Sequence, residues 1–285
     1  MAAVPDPRSQ TAIEHRAVVE NIPIRPGTRV SIRDRQWFIN DEVTYRGTEA
    51  EGLLMNVRMV NSVFEDRNRT DFDPDSNTEE FIARIPDYVA HGIRAFTVCL
   101  QGGSTGYEGA RNSAFNPDGT LRDSYLQRVR RVIEACDRNG AVVILGCYYQ
   151  RQDQILKDDQ SVRTGVMNVA RWIGESGFSN VVLEIANEFN HSGFDRAILR
   201  NPEGQVELIQ LAKKTLPGLL VSTSGLGDGR LPDQVAEASD FLLIHFNGTP
   251  IRDIIPRIEA LWKFNKPIVC NEDEKTGPEG AHAAA

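Results

Sequence analysis

The sequence is poor in cysteine and shows no pattern that would use it. There are four cysteines in 285 residues, and no two of them form a C-x-x-C pair, which argues against a zinc knuckle and against a disulfide framework. Cys99, Cys147 and Cys270 each lie within an apolar run. We therefore expect these three to be small, buried hydrophobic side chains.

Long apolar runs and an excess of basic residues are also absent. No run is long enough to span a membrane, and the polar N-terminus MAAVPDPRSQTAIEHR has no apolar core of the kind found in secretory signals. The chain as given is therefore expected to be cytoplasmic. Its 32 Lys and Arg are outnumbered by 40 Asp and Glu, for a net charge of -8, so neither nucleic acid nor an anionic membrane is an expected partner.

Nucleotide-binding motifs are missing too. Glycine-rich stretches occur at 100–109 (LQGGSTGYEG) and at 224–230 (SGLGDGR), but neither has the GK[ST] of a phosphate loop or a G-x-G-x-x-G that leads into a helix. We interpret both as loops at strand ends, and we expect no cofactor.

What the sequence does contain is a regular alternation of apolar runs and amphipathic segments. Continuous apolar runs are typical of parallel strands that are buried on both faces, and they occupy 93–100, 141–149, 180–188, 219–224, 241–247 and 267–272. A first strand is expected near 43–47, after a hairpin that turns at Asn40-Asp41. Helical patterns cover 76–92, 123–140, 162–177, 204–218 and 251–265. The alternation predicts an α/β fold of the TIM (β/α)8 type.

The number of strand–helix units is seven, one fewer than a complete barrel of this type has. After the last apolar run the chain continues only with DEKTGPEGAHAAA, in which AHAAA is typical of the opening of a helix. We therefore expect the eighth strand to be missing from this chain. The domain prediction is a loose arm over 1–27 and a single barrel domain over 28–285 that is incomplete at its C-terminus.

Two glutamates are predicted to meet at the C-terminal mouth of this barrel. Alternate residues of a strand share a face, so in NVVLEIANE an inward-facing Glu184 lies one layer below a rim residue, Glu188. In PIVCNE the same reasoning points Ile268 and Cys270 inward and brings Glu272 to the same rim. His245 of FLLIHFN is expected there as well, above Phe241 and Leu243.

A pair of facing carboxylates is what cleavage of a glycosidic bond requires. One acid protonates the leaving oxygen, and the other attacks the anomeric carbon or activates water. Barrel active sites lie at the C-terminal ends of the strands, which is where both glutamates are predicted. The residues therefore predict a glycosidase, with the pKa of Glu188 raised by the neighbouring Glu272.

Three of these motifs carry a family resemblance. EIANEFN resembles the fourth-strand motif of glycoside hydrolase clan A, PIVCNE resembles its seventh-strand motif, and FLLIHFN corresponds to the sixth strand, in an order most similar to the cellulase-like family 5. The resemblance covers most of the chain from about Trp37 onward. It implies that Glu188 is the acid/base, Glu272 the nucleophile and Asn187 a donor to the substrate 2-hydroxyl. It also implies a retaining mechanism on β-linked oligo- or polysaccharides.

The sequence departs from the family pattern around this pair. Family 5 enzymes usually carry a tyrosine near the end of the sixth strand, where HFNG here has Phe246 and Asn247. The third strand often ends on histidine, where this chain has Tyr148, Tyr149 and Gln150. The candidate substrate-binding residues are Asn187, His245, Gln101, Tyr149, Asn247 and Arg58.

Alternatives to this function remain open at this point. One is a non-catalytic carbohydrate-binding protein on a glycosidase-type barrel. Another is a metal-dependent lyase or isomerase that uses Glu188, His191, His245 and Glu272. No metal is expected, because the E-x-x-H spacing from Glu188 to His191 binds metal on a helix face and here straddles a strand end.

Glu184 is expected to be architectural. An inward-facing arginine, with Arg58 and Arg94 as candidates, or backbone donors would hold the buried acid charged and lower its pKa.

Overall fold

The computed structural model describes residues 27–102 and 112–284. The predicted N-terminal arm, except for Gly27, lies outside the described residues, and so does most of the glycine-rich loop at 100–109. The domain boundaries therefore stay predictions.

A small antiparallel sheet opens the described chain. It consists of β1 (Val30–Arg33), β2 (Gln36–Ile39) and β3 (Glu42–Val43) in the order β1-β2-β3. The predicted turn at Asn40-Asp41 is present, and both residues have the positive φ, 52° and 66°, that a tight hairpin turn of this kind requires.

The first parallel strand was predicted in the wrong place. The segment 44–51 runs in turns, because Tyr45 and Gly47 have φ values of 54° and 76° that are incompatible with an extended strand. The first parallel strand is instead β4 (Asn56–Arg58).

Within residues 27–102 and 112–284, seven parallel strands follow in chain order. After β4 they are β5 (Ala95–Cys99), β6 (Val142–Tyr148), β7 (Val181–Ala186), β8 (Val221–Ser222), β9 (Leu242–His245) and β10 (Ile268–Glu272). The helices are α1 (Pro74–Ala90), α2 (Asp123–Arg138), α3 (Asp159–Glu175), α4 (Ala197–Arg200), α5 (Pro202–Thr215), α6 (Asp233–Ala238), α7 (Ile251–Leu261) and α8 (Gly277–Ala284). The predicted alternation of parallel strands and helices is confirmed, and so is helix in the described part of the AHAAA stretch, 281–284.

The strands are joined in sequence order around the barrel. A continuous hydrogen-bonded ladder joins β4, β5, β6, β7 and β8 in that order. A single parallel bridge from Ser224, just after β8, to Leu243 links β8 to β9, and β9 pairs with β10. No backbone ladder among the described residues joins β10 to β4. Instead Asn56 Nδ2 donates to the carbonyl of Cys270 at 3.0 Å. A cavity of about 460 Å³ lies between the two strands and is walled in part by Met55, Val57 and Ile258.

Two apolar layers fill the molecule. The larger lies between the strands and the surrounding helices, and the smaller occupies the barrel interior beneath the antiparallel sheet. In the smaller layer Trp37, 1% exposed, packs edge-on against Phe241 at 5.2 Å between ring centroids. The interior position of Phe241 and Leu243 confirms the facing predicted for β9.

Cys99 and Cys147 are buried as expected, but the same prediction is wrong for Cys270, which is exposed. Within the described part of the chain, no helix has both the length and the apolar character needed to cross a membrane.

Replacing Trp37 with alanine should destabilise the fold by about 3–5 kcal/mol, because a large buried aromatic side chain leaves a cavity when it is truncated. Equilibrium denaturant unfolding measures this change. Trp262→Ala is the matched control, since Trp262 is 53% exposed, and it should change the free energy of unfolding by less than about 0.5 kcal/mol. Equal effects of the two substitutions would contradict the interior packing of Trp37.

Candidate active site

The candidate residues gather at the C-terminal ends of four strands. Arg58 is the last residue of β4, His245 the last of β9 and Glu272 the last of β10. Glu188 follows β7 by two residues. Each of these side chains is buried or only slightly exposed, so their charges meet with little water between them.

Glu272 reaches the mouth by a route that strand alternation does not predict. Ile268 and Cys270 were expected to face inward, but the interior residues of β10 are Val269 and Asn271, and Cys270 is exposed. The pairing with β9 shifts register between Cys270 and Glu272. A bulge of this kind re-aims the next side chain, and here it turns Glu272 toward the mouth.

Glu188 has a backbone conformation that is rare for a residue with a side chain. Its φ is 50°, in the left-handed region, which costs on the order of 1–3 kcal/mol and is common at functional sites. The Oγ of Ser224 accepts the N–H of Glu188 at 3.0 Å and so satisfies the donor at this turn. The inward facing predicted for alternate residues of β7 is confirmed deeper in the barrel, where Val182 and Glu184 face the interior.

The two rim glutamates share one histidine. His245 is fully buried, and its Nδ1 lies 3.4 Å from Glu188 Oε1 and 3.7 Å from Glu272 Oε2. One oxygen of each carboxylate and a ring nitrogen of His245 all lie within 4.8 Å of one another. The predicted convergence of these three side chains is thus present in the structure.

Glu272 is held by a cation and an amide. Arg58 Nη2 lies 2.9 Å from Glu272 Oε2, and Asn247 Nδ2 donates to Glu272 Oε1 at 2.7 Å. Asn247 therefore contacts this glutamate from the sixth-strand position where the family pattern has a tyrosine, while Phe246 is buried. Arg58 and Asn247 thus both lie beside Glu272, and their contact with substrate stays a prediction.

A second chain of contacts runs from Arg58 to Glu188. Arg58 Nη2 donates to Asn187 Oδ1 at 2.6 Å, and Asn187 Nδ2 donates to Gln150 Oε1 at 3.1 Å. Gln150 Nε2 then donates to Glu188 Oε2 at 3.1 Å. Gln150 was not among the predicted site residues, although its place at the end of the third strand was a signal that could have identified it.

The remaining predicted residues differ in their positions. The Tyr149 ring lies 5.9 Å from the guanidinium carbon of Arg58, at the edge of the site, and burial raises its pKa to about 12. Gln101 is fully buried, and its amide donates to Ser113 Oγ and to the carbonyl of Gln152. These contacts tie a strand end to a loop, and substrate binding by Gln101 stays a prediction.

The pKa of Glu188 is shifted in the direction opposite to the one expected. Burial raises it, but the hydrogen bond and positive charge of His245, with smaller effects of His191 and Arg58, outweigh burial and hold it below its ordinary value. The expectation that Glu272 raises this pKa is therefore wrong.

The expectation that the pKa of Glu184 is lowered is also wrong. Burial raises its pKa, and Arg58, which lowers it, only partly offsets this. Arg94 does not contribute, because its guanidinium donates to the carbonyls of Val89 and Ile93.

The same cluster has the donor atoms of a metal site. Glu188, His245 and Glu272 form a group that could hold an ion, and His191, whose Nδ1 accepts the N–H of Gly193, is not part of it. Arg58 and Asn247 already engage the two carboxylate oxygens of Glu272. The positive charge of the Arg58 guanidinium, 2.9 Å from Glu272 Oε2, would repel a metal cation bound to the same carboxylate.

The fold is shared with solved carbohydrate-active enzymes. A glycoside hydrolase of family 5 from Bacteroides vulgatus is 16% identical with a TM-score of 0.56, over 92% of this chain and 56% of its own. The exo-β-1,4-mannosidase Op5Man5 from Opitutaceae bacterium strain TAV5 is 10% identical with a TM-score of 0.61, over 85% and 50%. A β-1,4-D-mannanase from Cryptopygus antarcticus is 11% identical with a TM-score of 0.52, over 76% and 71%.

These likenesses confirm the predicted barrel fold, which this chain shares with these glycoside hydrolases, and at such identities they show the fold alone. The chain spans about half of the length of several of these structures. No protein-family model matches the sequence, and no curated protein matches it.

Replacing His245 with glutamine should raise the pKa of Glu188. The substitution removes the positive charge and hydrogen bond that lower this pKa, whereas the burial that raises it remains. Titration of the glutamate carboxyl carbons by NMR measures the change. His91→Gln is the control, since His91 is exposed at the end of α1, and it should leave the Glu188 titration unchanged. An unchanged or lower pKa in His245→Gln would refute this account of the pair.

Proposed function

We propose that this protein is a retaining glycoside hydrolase that cleaves β-linked oligo- or polysaccharides. The observation that carries the proposal is the pair of glutamates, Glu188 and Glu272, with oxygens within 4.8 Å of each other at the C-terminal mouth of the barrel. Retaining enzymes hold their two carboxyl groups about 5–5.5 Å apart, whereas inverting enzymes leave about 6.5–9.5 Å for a water. The short separation favours retention.

Glu272 is the nucleophile in this proposal. The ion pair with Arg58 and the amide of Asn247 fix the orientation of its carboxyl group. An oxygen of Glu272 attacks the anomeric carbon as the bond to the leaving oxygen breaks, and a glycosyl ester forms.

Glu188 is the acid/base. It gives its proton to the leaving oxygen in the first step and takes a proton from water in the second, as that water attacks the anomeric carbon and releases Glu272. A proton held between Glu188 Oε1 and His245 Nδ1, 3.4 Å apart, is available for the first transfer. The low pKa of Glu188 leaves it ionised and ready as a base in the second step.

Unused polar groups around the pair fit a sugar. Arg58 Nη1 and Asn247 Oδ1 are buried without a hydrogen-bond partner among the described residues, and buried polar groups in such a state call for a ligand or water. The second proton on Asn187 Nδ2 remains for the 2-hydroxyl, since the first is donated to Gln150. The ring of Tyr149 offers an apolar face at the edge of the site.

Glu272→Gln and Glu188→Gln should each remove nearly all hydrolysis of β-linked oligosaccharides while the chain stays folded. The two roles separate on an aryl glycoside with a dinitrophenyl leaving group, which departs without protonation. Glu188→Gln should lose about 10²–10⁴-fold on oligosaccharides and far less in the glycosylation step of the activated substrate, whereas Glu272→Gln should lose both. Initial rates and burst kinetics on the two substrate types measure this.

The control for these variants is Glu259→Gln, which removes an exposed carboxylate on α7. It should retain the activity of the unsubstituted protein on both substrates. Turnover close to that level in Glu188→Gln or Glu272→Gln would eliminate the assignment.

A 2-deoxy-2-fluoroglycosyl fluoride should label Glu272 covalently, because the fluorine slows hydrolysis of the glycosyl ester more than its formation. Peptide mass spectrometry after incubation with the gluco and manno reagents locates the adduct. A non-catalytic carbohydrate-binding protein, the second candidate, would bind these sugars without forming an adduct. Labelling that persists in Glu272→Gln would contradict the assigned nucleophile.

A further inference from the structure

Glu184 is a buried carboxylate that the proposed chemistry does not use. It is fully buried inside the barrel, on β7, and pairs across the sheet with Gly146 of β6. A Cβ at position 146 would lie 3.5 Å from Glu184 Oε2, an ordinary contact, but only 2.9 Å from Cys99 Sγ, so glycine leaves the space for the cysteine beside this carboxylate. An acid in the interior of a barrel is costly unless its oxygens are engaged.

One oxygen of Glu184 supports the backbone of the proposed acid/base. Ser224 Oγ donates to Glu184 Oε1 at 2.6 Å and accepts the N–H of Glu188 at 3.0 Å. Because this hydroxyl has a single proton and Glu184 takes it, its lone pairs point toward the amide. Glu184 thereby supports the left-handed turn at Glu188.

The other oxygen acts on the histidine. Asn271 Nδ2 donates to Glu184 Oε2 at 3.4 Å, and Asn271 Oδ1 lies 3.1 Å from His245 Nε2. A carboxylate only accepts hydrogen bonds, so it turns the NH₂ of Asn271 toward itself and the carbonyl oxygen toward the imidazole. That oxygen is also an acceptor, and Nε2 must therefore carry a proton.

The consequence appears at the opposite ring nitrogen. When the ring of His245 is neutral and its proton is on Nε2, Nδ1 has a free lone pair directed at Glu188 and Glu272. Nδ1 can then take the proton of Glu188 and return it. With the proton on Nδ1 instead, the neutral ring could only donate to the two carboxylates.

We propose that Glu184 is a positioning residue that fixes the tautomer of His245 through Asn271, so that Nδ1 is the nitrogen that exchanges a proton with Glu188. The role of this tautomer in catalysis rests on the proposed function, whereas the prediction of the tautomer does not. The charged groups around Glu184 are Arg58, His245 and Glu272. Burial and Glu272 oppose the charge of its carboxylate, and Arg58 and His245 favour it.

Glu184→Met tests this directly, because methionine fills a similar volume and offers no strong acceptor. Asn271 is then free to turn its NH₂ toward Nε2, and the neutral ring gains by donating from Nδ1 to the rim carboxylates. The expected result is a change from the Nε2–H to the Nδ1–H tautomer. Long-range ¹H–¹⁵N spectra of ¹⁵N-histidine-labelled protein measure it, at a pH where the ring is neutral, with the signals assigned by His245→Gln.

The double variant Glu184→Met with Asn271→Asp should restore the Nε2–H tautomer. The aspartate offers only acceptor oxygens to Nε2, and the net charge of the site returns to its original value. Ser224→Ala is the matched control, since it cuts the contact of Glu184 with the Glu188 backbone and leaves the link through Asn271 intact. It should keep the Nε2–H tautomer.

Asn271→Ala removes the amide that connects Glu184 to His245 and should also give the Nδ1–H tautomer. This second variant keeps the test decisive if Glu184→Met does not fold. A ring that keeps Nε2–H in both Glu184→Met and Asn271→Ala overturns the proposal. In kinetics, Glu184→Met should lower kcat with little change in KM, and the double variant should recover kcat. If the protein hydrolyses no glycoside at all, the proposed function fails while the spectra still decide the role of Glu184.

Discussion

The ion pair between Arg58 and Glu272 is the contact on which the arrangement of the site depends. Arg58 comes from the first parallel strand and Glu272 from the last, and no backbone ladder among the described residues joins these two strands. The same guanidinium also holds Asn187 beyond the end of β7. A single buried cation thus links three strand ends, so the geometry of the mouth and the association of the outer strands depend on the same side chain.

Two local irregularities complete the site, and both concern the glutamates. Glu188 has a left-handed backbone and Glu272 follows a register shift. Regular alternation from the inward-facing Val269 and Asn271 would point Glu272 away from the mouth, so the register shift is what brings it to His245. The cost of each irregularity is offset by neighbouring contacts, through Ser224 for Glu188 and through Arg58 and Asn247 for Glu272. Strain of this kind at a site is typical of pre-organised function.

The same irregularities mark the limit of what the sequence predicts. Long apolar runs separated by helices gave the barrel and its strand order, and alternation gave the facing of Glu184 and Leu243, because both are regular features. The three residues of β4 are too few to carry a pattern, and a bulge in β10 leaves no mark in PIVCNE. The direction of the pKa shift of Glu188 depends on its distance to His245. That distance is a property of the folded structure and cannot be read from composition.

The two glutamates differ most in the kind of cation that each one faces. Arg58, beside Glu272, is permanently charged and exchanges no proton, so it stabilises an anion without supplying an acid. His245, closer to Glu188, has an imidazole ring, which unlike a guanidinium can accept and release a proton. A fixed charge suits an attacking carboxylate, and a titratable partner suits a carboxylate that gives and takes a proton in turn. The proposed roles of Glu188 and Glu272 thus agree with their cations, independently of any family motif.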